Sequence, residues 1–268
     1  MHIAAGLDNP LVPGLKLKQT LRGIERKHFS TPKRKLPITF DILCRIRPFV
    51  DMSREEDCVY WSAVTTAHFL LLRAGEFTIP KSELFDPSRH LTLGDIDLRV
   101  APDSREYLTI NLKHSKTDQE GQGVLLYLSH SKHKVCGLCA MKANLTLQRH
   151  RKNSSFDSPL FALSDQPPLS RDRLMGFLSQ LLRLIGLDPC KYSGHSFRIG
   201  GATSASLAGL KDYEIQLLGR WKSSCYKTYI RTPLNLLLNI PERLAATSSI
   251  TYQYANPYSV EPSDQHPT

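Results

Sequence analysis

The sequence has no apolar run approaching the roughly 18 residues that a membrane-spanning helix needs. It also has no glycine-rich phosphate loop and no acidic cluster built for magnesium, so neither nucleotide-driven nor magnesium-dependent chemistry is indicated. The segment MHIAAGLDNPLVPG does not set a basic stretch before an apolar one, and no secretory signal is expected. No internal repeat is visible. Of the six cysteines, Cys44, Cys58, Cys136, Cys139, Cys190 and Cys225, only one CxxC pair is closely spaced. Such scatter indicates reduced thiols in an intracellular compartment, not a disulfide framework.

What the chain does have is positive charge. Lys and Arg number 35 against 25 acids, a net charge of +10 over 268 residues. That favours a polyanionic partner, nucleic acid ahead of an anionic membrane because no amphipathic anchor is evident. A hydrophobic fraction of 41% suits a globular core, and the length suits one large domain, or one domain plus a fragment.

Three regions are expected: 1–36, 37–245 and 246–268. In the first, KLKQTLRGIERKHFSTPKRK carries eight basic residues and one acid, Glu25. Leu17, Leu21 and Ile24 sit at helical spacing, so a short helix should precede a basic linker. The second region opens at LPITFDILCRIRPFV, with Thr39 as N-cap and Ile42, Leu43 and Ile46 as an apolar face. Residues 58–73 are apolar nearly all round and predict a buried helix. LTLGDIDLRV, EYLTINLKH and GVLLYLS predict three strands of a small antiparallel sheet. Helices are expected over 138–149, over 170–186 with Ser170 as N-cap and Gly186 as stop, over 196–208, over Asp212–Leu218, in a segment holding Tyr226 and Tyr229, and over 234–245. The class is therefore mainly α with a small antiparallel sheet. The third region, polar with prolines, reads as a disordered tail.

The chemistry concentrates in GHSFRIGGATSASLAG followed by LLGRWKSSCYKTYIRTP. His195 and Arg198 lie one helical turn apart and share a face. An arginine fork grips two phosphate oxygens at once and stays protonated. The small residues Gly200, Gly201 and Ala202 permit close packing of that helix. A tyrosine in this region, Tyr229 or Tyr226 one turn earlier, offers a phenolic nucleophile whose phosphotyrosine would conserve bond energy for rejoining. After Gly219 come Arg220, a charge, and Trp221, whose indole N–H could reach a phosphate. His130, His133, Cys136 and Cys139 recur at every third position in HSKHKVCGLC. Zinc accepts such ligands, but that regular spacing without a longer loop makes a poor tetrahedral cage, and no metal site or other cofactor is expected.

Taken in order, LLRAGEF, SGHSFRIGGATSAS, LGRW and YIRTP resemble the signature of the tyrosine recombinases, the phage-integrase superfamily. The look is nearest to the recombinases of eukaryotic mobile elements of the DIRS, Ngaro and Crypton types. The resemblance runs from about Leu36 to Arg243. It implies the recombinase catalytic-domain fold, with 1–36 as the remnant of an N-terminal core-binding domain. It implies metal- and ATP-independent cleavage and rejoining of double-stranded DNA and tetramer assembly on DNA, with a nuclear location if the source is eukaryotic and otherwise an intracellular one. Arg73 would be the first phosphate-binding arginine, with Glu76 orienting its neighbours. Lys116, or less favourably Lys113, would be the hairpin lysine at the cleaved bond. His195, Arg198 and Trp221 would stabilise the transition state, and Tyr229 would attack. Strict counting puts Arg220 where the family has His or Trp. A DNA-binding remnant that keeps the fold without cutting, and a type IB topoisomerase, are the competing readings.

Overall fold

In the computed structural model of the chain, the described residues are 34–80, 83–115, 123–164 and 166–241, with isolated helical positions between 17 and 24. The expected basic linker and the tail from 246 onward lie outside them. The chain divides into two units, Met1–Lys35 and Leu36–Thr268. In the first, Leu17, Leu21 and Ile24 are helical.

The second unit begins with α1 (Phe40–Ile46), capped by Thr39, whose hydroxyl accepts from Ile42 N–H at 3.4 Å. Next comes α2 (Glu55–Phe69), which buries nearly its whole surface and forms the centre of the domain. Its first turn carries Glu55, Glu56 and Asp57, charges that suit a helix N-terminus. A single turn, α3 (Ala74–Phe77), follows. Three antiparallel strands come next: β1 (Ile96–Val100), β2 (Glu106–Leu112) and β3 (Val124–Ser129), in the spatial order β1-β2-β3. Ile96 faces Ile110, and Leu108 faces Leu128 across the other ladder. These residues, with Leu112 and Leu126, bury one side of the sheet, while Leu125 and Tyr127 stand on the exposed side. The alternation follows the two-residue period of a strand.

The rest is helical: α4 (Gly137–Arg149), α5 (Arg171–Leu184), α6 (Ser196–Leu207), α7 (Asp212–Leu218) and α8 (Leu234–Leu238). α2 packs on α4 and α6. Ser170 caps α5, whose stripe of Leu174, Phe177, Leu178, Leu181 and Leu182 is buried as its spacing predicts. Gly186, at φ +77, ends that run. No described helix is long and apolar enough to cross a membrane.

Four elements depart from expectation. The helix predicted over 58–73 starts earlier and stops at Phe69, because Leu71 turns to φ +50 and the chain reverses. LTLGDIDLRV is a strand only from Ile96. Before it, Leu93–Asp95 form a 3-10 turn, in which the Asp95 carboxylate takes both the N–H and the hydroxyl of Thr92 at 2.8 Å. The segment with Tyr226 and Tyr229 is a 3-10 turn, Ser224–Thr228, capped by Ser223, and Tyr229 falls just after it. The last helix is described as Leu234–Leu238.

Candidate phosphate-binding and nucleophile site

The reversal after α2 builds the floor of the site. With the helix stopped, the carbonyls of Leu70 and Leu71 have no partner further along the helix. Two arginines from distant parts of the chain take them. Arg198, on the first turn of α6, donates to Leu71 O and to Gly219 O. Arg220 donates to Leu70 O at 3.1 Å. Arg220 adopts φ +56 at the turn after α7, a left-handed conformation that costs an L-residue energy and is held here by its side-chain bonds. Gly219 lets that turn close: a Cβ on it would lie 1.7 Å from the Trp221 ring.

One carboxylate ties the arginines together. Glu76 accepts from the Arg73 guanidinium at 2.8 Å, from Arg73 N–H at 2.8 Å and from Arg220 at 2.9 Å. Three guanidinium groups therefore share a single buried counter-charge. Burial, then the charges of Arg73 and Arg220, push Arg198 down to about 10, while Glu76 and Tyr229 act the other way. Arg220 is lowered as well, first by burial. Both remain cationic at neutral pH. Arg198 Nε, Arg220 Nε and Trp221 Nε1 are buried without a hydrogen-bond partner. Buried donors in surplus over acceptors, beside uncompensated positive charge, describe a place short of an anion.

Aromatic rings cover Arg198. Its guanidinium lies 4.2 Å from the Trp221 ring centroid and 5.7 Å from that of Tyr229. Trp221 and Tyr229 are 5.2 Å apart. The two candidate tyrosines differ. Tyr226 is 2% exposed and hydrogen-bonded to the Asp212 carboxylate, and burial together with that acid pushes its phenol up to about 12. It serves as packing. Tyr229 is half-buried, with its carbonyl accepting from Thr203 at 3.4 Å.

Of the six residues expected from sequence, Arg73, Arg198, Trp221 and Tyr229 form this one assembly. His195, exposed at the start of α6, stands with Arg73 on the wall of an adjoining cleft of 440 Å³. Arg89, His90 and Arg171 line the same cleft; sequence reasoning missed them, since they belong to no local motif and meet only through the fold. Lys116 lies outside the described residues. The alternative, Lys113, is bound to Asp95 at 2.8 Å and to Pro87 O at 2.7 Å, an anchor for the end of β2. Arg220 is an ion-pair partner of Glu76, closer to the cluster than its bare charge suggested.

No protein-family model matches the chain, and no curated protein sequence does. Solved structures do. The chain is similar to the XerH site-specific recombinase in a post-cleavage complex with palindromic difH substrate: TM-score 0.54, 16% identity, covering 78% of this chain and 54% of that one. A pre-cleavage complex of XerH gives 0.52 and 17%. The XerA recombinase gives 0.55 at 15% identity, covering 94% of this chain and 72% of that one. The chain thus spans about half the length of XerH. Its helices and three-stranded antiparallel sheet have the fold of tyrosine-recombinase catalytic domains.

Proposed function

We propose that this chain cleaves and rejoins duplex DNA through a covalent 3′-phosphotyrosine at Tyr229, with neither metal nor ATP taking part in the chemistry. One observation carries the reading: segments around residues 73, 198, 220 and 229 converge on a buried cationic cluster with unmet donors beside a tyrosine. The likeness to XerH and XerA supports the scaffold, and the sequence motifs support the chemistry.

In the proposed step the Tyr229 phenol gives its proton to solvent and its oxygen attacks the phosphorus. The Tyr–O–P bond forms, the bond to the 5′ oxygen breaks, and that oxygen takes a proton, assigned to Lys116 as general acid. Arg73, Arg198 and His195 neutralise the developing charge, and Trp221 Nε1 donates to the phosphate. Arg198 gives two of its five N–H groups to carbonyls and keeps Nε–H without a partner, so a phosphate oxygen can be met without giving up Leu71 O or Gly219 O. Assembly as a tetramer on paired sites, kinship with the mobile-element recombinases of the DIRS, Ngaro and Crypton types, and a nuclear location belong to the same proposal and rest on the sequence signature. The second reading, DNA binding without cutting, draws on the full burial of Arg198.

The test is a nicked suicide duplex incubated with the protein in EDTA, resolved on a denaturing gel. A protein–DNA adduct lost in Tyr229→Phe and kept in Tyr226→Phe is expected. Salt-sensitive binding without any adduct would establish the second reading instead.

A further inference from the structure

We propose that His130, Cys136 and Cys139 form a binding site for a thiophilic divalent cation, zinc above all, joining the end of β3 to the first turn of α4. One ring nitrogen of His130 and the two sulfurs lie within 4.8 Å of one another. The site is apart from the arginine–tyrosine cluster and independent of the function proposed above.

The third-residue spacing of HSKHKVCGLC argued against a cage, and it would be a poor one if the chain ran straight. It does not. The Ser131 hydroxyl donates to Val135 O at 2.8 Å, Val135 N–H donates to His133 Nδ1 at 3.1 Å, and Lys132 sits at φ +55. These contacts close a turn that returns the chain to His130. His133, the expected fourth member, is drawn away: its ring lies edge-on to Phe40 at 5.1 Å. The CxxC pair is placed by the helix. Cys136 is the N-cap of α4, and its sulfur accepts from Cys139 N–H at 3.5 Å, a bond that favours the thiolate a metal requires.

The donor set, two thiolates and an imidazole, suits zinc over magnesium or calcium, which take oxygen ligands. A tetrahedral ion with bonds of about 2.0–2.3 Å needs its ligands closer than 4.8 Å, a shift within reach of side-chain rotation because His130 and Cys139 are exposed. Lys132 N–H donates to His130 Nδ1 at 2.7 Å. Either ring nitrogen costs that bond: the metal takes Nδ1 itself, or takes Nε2 and leaves the proton on Nδ1. With three protein ligands, a water would complete the four. Bound there, the ion fixes the base of the β2–β3 hairpin against α4.

The test uses the full chain purified in reductant without chelator. Native mass spectrometry should show one zinc per chain, and cobalt(II) substitution should give thiolate-to-metal charge-transfer absorption. Cys139→Ser and His130→Ala should each lower zinc affinity by at least about tenfold. Cys190→Ser, an exposed cysteine elsewhere, should leave it unchanged. Saturating zinc should raise the melting temperature of wild type by about 5 °C and of Cys139→Ser by much less. Zinc bound equally by wild type and both ligand variants would overturn the proposal. So would the absence of retained zinc and cobalt absorption, or a Cys136–Cys139 disulfide that persists in reductant.

Discussion

The molecule contains two buried regions that treat polarity in opposite ways. The large core around α2 satisfies most of its polar groups from within, Thr66 Oγ1 on α2 being an exception. Asn144 donates to Leu160 O at 3.0 Å, Gln148 to Ala162 O at 2.8 Å, and His68, by its Nδ1–H, to Ile38 O at 3.0 Å. The small cluster of Leu71, Ala202, Ala205, Ile215, Trp221 and Tyr226 wraps two arginines it cannot satisfy. Of five buried side-chain polar atoms without partners among the described residues, three belong to Arg198, Arg220 and Trp221. The contrast teaches that the first region is nearly complete in isolation, whereas the unmet donors of the second gather in one place beside two buried cations.

The largest effect should come from removing the one counter-charge. Glu76→Gln leaves Arg73 and Arg220 without their carboxylate and should cost about 3 kcal/mol of folding stability. Inorganic phosphate or a short duplex should then stabilise the variant more than the wild type. Equal shifts in thermal melting would break the comparison, because they would mean that the cluster holds no anion.

A slightly smaller effect tests the self-sufficient core. Burial depresses His68 to about 4, against 6.5 in the unfolded chain. Its folded form resists the proton, so the associated stability is present above pH 6.5 and lost as pH falls towards 4. By pH 4.5 the loss should reach about 2.5 kcal/mol, from 1.36 kcal/mol per pH unit. Urea midpoints at pH 7 and pH 4.5 should diverge less in His68→Asn than in wild type. An identical pH dependence in both proteins would remove His68 from the account.

The smallest effect serves as the surface reference. Lys142 and Glu106 pair at 2.9 Å with both side chains more than two-fifths exposed. Lys142→Ala should change stability by less than about 0.5 kcal/mol. A loss matching that of Glu76→Gln would show that ion pairing alone, without burial, explains both.

Much of this was legible in the sequence because it is local. Thr39 and Ser170 announce their helices, α7 begins and ends where the pattern places it, and the three strands form within the expected segments. The arginine–tyrosine motif was legible as an order of residues. What stayed hidden depends on distant partners. No glycine or proline marks the end of α2 at Phe69; the freed carbonyls of Leu70 and Leu71 are met by side chains 150 and 127 residues away. Local propensity cannot see such a trade. The same holds for His130, Cys136 and Cys139, whose meeting depends on a turn that spacing alone does not reveal.

The α6 helix rests on α1 and the extended segment before it through a joint with no room. Phe40 N–H donates to Ser204 Oγ at 2.9 Å, and a Cβ built on Gly200 would lie 1.8 Å from Ile38 O. Every one of the other nineteen amino acids carries that Cβ. Position 200 therefore has no conservative neighbour in the genetic alphabet: a codon change there cannot be graded by size, charge or polarity, since the first carbon already collides. A column of this kind is binary under selection. It also couples the position of α6, and with it His195 and Arg198, to the Ile38 backbone oxygen that His68 holds from the other chain segment.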